Sequence, residues 1–116
     1  MLPKIVLHIA DRDLAQTLVR VIADDPALAG HPVSFSEQEN CFDPRWVYVI
    51  DSDMLSCPRL KQVMCAENPH VVLMVQPGDA SSYNRAWEMK IRKVVERSLP
   101  ADIVRLALLS EVREAR

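Results

Sequence analysis

The sequence predicts a three-layer α/β domain around a parallel sheet. Short unbroken apolar runs alternate with stretches whose apolar residues recur at helical spacing, which is the pattern of a sheet covered on both faces. The runs at Ile5–Ile9, Trp46–Ile50 and Val71–Val75 carry no polar alternation beyond a single histidine, as strands buried on both sides require. With 116 residues, 49% apolar and 26% charged, the chain can bury one ordinary core, and residues 1–116 read as a single domain.

Lys4 to Ala10 (KIVLHIA) is the first predicted strand, stopped by Asp11 and Asp13. Asp13 followed by Gln16 resembles a capping box, and Leu14, Leu18, Val21 and Ile22 place a helix from about Leu14 to Ala23. Asp24, Asp25 and Pro26 end it, and a loop runs to Pro32. Val33 to Ser36 reads as a short edge strand. The segment EQENCFDPR after it has no clear period, so a loop or one distorted turn is expected there, and the second helix is short or missing. Trp46 to Ile50 is the central strand, and Asp51 follows at its carboxyl end, the edge where open α/β sheets build their sites.

Pro58 suits the first turn of a helix whose face is Leu60, Val63 and Met64, broken by Asn68 and Pro69. His70 to Val75 is the fourth strand, with a turn at Gln76–Asp79. Ser81 to Met89 forms a helix with Tyr83 and Trp87 four apart, either core residues or an exposed aromatic anchor. Ile91 to Val95 is an edge strand interrupted by Arg92 and Lys93. Pro100 opens a last helix with Ile103, Val104, Ala107, Leu108 and Val112 on its face and Asp102 at its positive end. The charged tail EVREAR is expected in solvent or leading into a linker.

Several function classes drop out. Gly30 and Gly78 are the only glycines, too few for a Walker-type or GxGxxG phosphate loop. A net charge of −2, with scattered basic residues, disfavours nucleic acid or an anionic membrane surface. No apolar run approaches the ~18 residues that span a bilayer. Cys41, Cys57 and Cys65 are odd in number and lack CxxC spacing, so reduced thiols in a cytoplasmic protein are the simplest reading. Cys41 does not match the loop of thiol phosphatases. His8, His31 and His70 lack ligand spacing and read as core or surface residues.

Asp51-Ser52-Asp53-Met54-Leu55 resembles the phosphoacceptor motif of response-regulator receiver domains, with Leu55 where the family has proline. The resemblance covers almost the whole chain and implies the flavodoxin-like (CheY-like) fold, a five-stranded parallel sheet of order 2-1-3-4-5. Asp51 falls at the phosphoacceptor position and Arg97 at that of the family lysine. Ala10 and Asp11 fall at the paired acids, so only the second acid is present. Val75 stands for the switch threonine or serine, and Val94 for the switch aromatic.

The resemblance implies a weak Mg²⁺ site from the carboxylates of Asp11 and Asp51 and the backbone carbonyl of Asp53. Asp11 is as readily a turn residue, however, and Asp13 reads first as a helix cap. Valine cannot donate the hydrogen bond that reports phosphorylation, and a guanidinium is not equivalent to an ammonium. The pattern resembles an atypical receiver, or pseudo-receiver, acting in bacterial signal transduction mainly by protein–protein contact or dimerisation. The surface implied is the fourth helix, fifth strand and fifth helix of the family, which carries Tyr83 and Trp87. The alternative is a working receiver that accepts a phosphoryl group on Asp51 from a histidine kinase with Mg²⁺. No nucleophile–base pair or phosphate loop favours an enzyme.

Overall fold

The computed structural model describes residues 2–38, 42–55, 58–65, 67–98 and 100–115, without the side chains of Arg59 and Ala101. The elements are β1 (Ile5–His8), α1 (Arg12–Asp24), β2 (Val33–Phe35), β3 (Val47–Asp51), α2 (Pro58–Met64), β4 (His70–Val75), α3 (Ala80–Glu88), β5 (Lys93–Glu96) and α4 (Ala101–Ala115). Short 3₁₀ turns at Ser36–Gln38 and Ser52–Met54 follow β2 and β3. All pairings are parallel and the strand order is β2-β1-β3-β4-β5, with β2 and β5 at the edges.

The strands are apolar throughout because each face meets a helix layer. Side chains alternate across a strand, so Ile5, Leu7, Val47, Val49, Val72 and Met74 pack with Leu18 and Ile22 of α1 and Val104, Leu108 and Val112 of α4. The intervening Val6, Tyr48, Ile50, Val71, Leu73 and Val75 pack with Leu60 and Val63 of α2, Ala86 of α3 and Ile91. That is the three-layer arrangement expected from the sequence.

Several boundaries differ from the expectation for local reasons. The first helix begins at Arg12 because Asp11, not Asp13, is its cap: Asp11 Oδ1 accepts from the N–H groups of Asp13 and Leu14 at 3.0 and 3.2 Å. Trp46 precedes its strand, since its N–H donates to the Asp43 carbonyl at 3.0 Å. Its ring lies under the Lys4 ammonium, 4.3 Å from the centroid. The last strand begins at Lys93 because Lys90 takes a left-handed conformation, φ 61°, and closes α3. The N–H of Ile91 returns to Ala86 O at 2.9 Å and that of Lys90 to Trp87 O at 3.1 Å, the double bond of a Schellman cap in which glycine is the usual residue.

The expectation of a solvated tail holds for Arg113 and Glu114, which are exposed, and fails at Glu111. α4 continues to Ala115, with Glu111 and Val112 only 2% exposed. Glu111 meets the imidazole of His70 at the start of β4, Nδ1 to Oε2 3.2 Å. Burial pushes the Glu111 carboxyl above the usual carboxylate range.

Candidate functional site

Parallel strands deliver their carboxyl ends to one edge of the sheet. His8 is in register with Ile50 on the neighbouring strand, so Asp11, just beyond β1, and Asp51, which ends β3, belong to the same edge. Asp51 has no exposed surface. Burying a carboxylate without a partner is costly, and among the described residues two groups meet it. Its Oδ2 takes the guanidinium of Arg97, and its Oδ1 accepts the Asp53 N–H at 3.3 Å. The side chain of Arg97 is itself 16% exposed. The residue is placed by its backbone, whose N–H donates to the Val75 carbonyl at 2.9 Å just past β5. The Nε of Arg97 is buried and meets no acceptor among the described residues. The placement of Arg97 near the site follows its sequence position, but a direct ion pair with Asp51, 46 residues away, has no local signal.

The other sequence-derived residues are distributed as follows. Asp11 is exposed and its Oδ1 faces its own helix. Asp13 is exposed in the first turn. Asp53 is exposed, and it is its N–H that reaches Asp51. Val75 is fully buried and Val94 partly so, both in the apolar cluster under α2 and α3. Trp87 is 85% exposed and Tyr83 38% exposed, so neither is core. The Tyr83 hydroxyl donates to Glu96 at 3.0 Å and ties α3 to β5. Cys41 and Cys57 lie outside the described residues, and Cys65 is a free, exposed thiol. His8 meets Ser36 through Nδ1, and His31 Nδ1 meets the Pro3 carbonyl at 2.8 Å.

The carboxylates at this edge, Asp11 and Asp51, make at most a weak set for Mg²⁺. Mg²⁺ takes hard oxygens in octahedral geometry. Here one carboxylate has an oxygen covered by a guanidinium and the other by an amide, the second acid is engaged in capping, and Ala10 supplies nothing. A cleft of about 910 Å³ opens at this edge, lined by His8, Ala10, Arg12, Phe35, Ser36 and Met54 among others, but Asp51 and Arg97 are not in its wall.

No protein-family model matches the sequence, and no curated protein matches it. Solved structures do match over nearly the whole chain. A response regulator receiver domain protein (CheY-like) from Methanospirillum hungatei superposes with a TM-score of 0.73 at 9% identity, covering 99% of this chain and 97% of that one. A CheY-like response regulator from Mesorhizobium loti gives 0.68 at 14% identity, over 96% and 99%. The bacteriophytochrome response regulator AtBRR gives 0.64 at 13%, over 97% and 94%. Together with the strand order β2-β1-β3-β4-β5, these place the chain in the fold of the CheY-like response-regulator receiver domains.

Proposed function

We propose that the chain is a receiver-like regulatory domain whose phosphoacceptor position is held by an internal ion pair, and which acts through protein–protein contact rather than by phosphorylation. The observation that carries this is the Asp51–Arg97 pair. An acceptor carboxylate must present an oxygen in line with the phosphoryl donor, with a cation ready to neutralise the oxygens in transfer. Asp51 has no exposed surface and its neighbouring cation is already committed to it. Opening the site means separating a buried pair, a cost of about 3–5 kcal/mol when one partner is left unmatched. Val75 offers no hydroxyl to reward a phosphorylated state. In this reading residues 1–116 form one non-enzymatic, cytoplasmic module of a bacterial signalling system.

Contact with a protein partner or a second copy is assigned to the α3-β5-α4 surface. α3 and α4 correspond to the fourth and fifth helices of the family. Trp87 supports the assignment, since a tryptophan this exposed is the residue type that anchors interfaces.

The test is an amide NMR titration with beryllofluoride and Mg²⁺. The expected result is no shift at Asp51, Asp11 or Arg97, with partner binding or self-association unchanged in Asp51→Asn and weakened in Trp87→Ala. Saturable shifts around Asp51 that vanish in Asp51→Asn would instead support the phosphorylation-competent alternative, in which a histidine kinase is the expected donor.

A further inference from the structure

At the opposite edge of the sheet, where the strands begin, three metal-ligating side chains converge. His70 opens β4, while Glu111 and Glu114 lie one turn apart on α4, and their ligand atoms all lie within 4.8 Å of one another. We propose that His70, Glu111 and Glu114 form a binding site for a divalent transition ion of the Zn²⁺ class, separate from the Asp51 edge.

The donor chemistry selects the ion. One imidazole nitrogen and two carboxylates suit Zn²⁺ and its first-row neighbours, whereas Mg²⁺ prefers oxygen and keeps its waters. A tetrahedral ion with bonds near 2.0–2.1 Å holds its ligand atoms about 3.3 Å apart. His70 Nδ1 and Glu111 Oε2 already stand 3.2 Å apart on two buried residues, so this pair is preorganised. Glu114 is the exposed third ligand: its side chain is 44% exposed and, among the described residues, pairs with Arg92 at 3.6 Å. Two carboxylates with a neutral imidazole carry two negative charges, which a divalent ion matches. Without one, Glu111 is buried against a single imidazole with Lys93 as a more distant positive charge. Glu111 also lines a cleft of about 880 Å³ with Trp87, Lys90 and Arg92, although His70 and Glu114 are not in its wall. Bound by the three side chains, the ion would tie the start of β4 to the end of α4 and release Arg92 from Glu114.

The test is titration of the full chain with Co²⁺, followed by visible absorption, and with Zn²⁺ by calorimetry. The expected result is one ion per chain, a four-coordinate d–d spectrum without a thiolate charge-transfer band, and no change in Cys65→Ser. Glu114→Gln, at an exposed position where folding is not at risk, is expected to weaken binding at least tenfold. Absence of binding in the micromolar range would overturn the site. So would affinity indifferent to Glu114→Gln, or a charge-transfer band that assigns the ion to cysteine.

Discussion

The Arg97→Ala variant removes the guanidinium from a carboxylate that has no exposed surface and whose other oxygen, among the described residues, accepts one backbone N–H at 3.3 Å. An exposed ion pair is worth about 0–1 kcal/mol, whereas stranding one member of a buried pair costs about 3–5 kcal/mol. For a chain of this length that loss lowers the melting temperature by roughly 10–20 °C. Urea denaturation at neutral pH measures it as a fall in midpoint with the m-value unchanged. The double variant Asp51→Asn, Arg97→Met removes both charges and is expected to recover most of the loss. The double-mutant cycle, closed with the single variants Asp51→Asn and Arg97→Met, then gives a coupling of at least about 2 kcal/mol. A loss under about 1 kcal/mol in Arg97→Ala, with no coupling to Asp51, would mean that water already reaches the carboxylate. Asp51 would then not be locked by Arg97.

Two further outcomes follow from the geometry. Lys90 occupies a left-handed cap position at φ 61°, which costs a side-chain-bearing residue about 1–2 kcal/mol. Lys90→Gly should therefore raise stability by up to about 1 kcal/mol, and a lower melting temperature would refute the cap. Asp25 is held below its ordinary value of 3.8, chiefly by the hydrogen bond from Arg105 at 2.9 Å and then by the Ala27 N–H. A carboxylate whose folded pKa is depressed contributes stability that is present above the unfolded value and lost as pH falls through the folded one. Unfolding free energy should accordingly drop below about pH 4, and Arg105→Gln should shrink that drop. An identical acid limb in the variant would show that the pair does not report on folding.

The five-stranded sheet and its carboxyl edge were legible in the chain because burial on both faces leaves a local mark. IVLHI, VYVI and HVVLMV can hardly be anything but strands between two helix layers, and an acid closing the middle run has to emerge at the carboxyl edge. The capping choice was not legible. Asp11 and Asp13 are both competent caps within one turn of each other, and the direction in which the chain leaves β1 decides between them. The αL cap at Lys90 was hidden because lysine carries no turn signal.

The ion pairs were hidden for a different reason. EVREAR reads as a solvated charge run, yet the packing of α4 on the sheet turns Glu111 inward against His70, 41 residues away. Arg97 reads as a cation near the site, yet its strand register brings it onto Asp51. Periodicity is a property of near neighbours and survives in one dimension. Which charge meets which across the sheet depends on register and helix rotation, and these are set only when the layers pack.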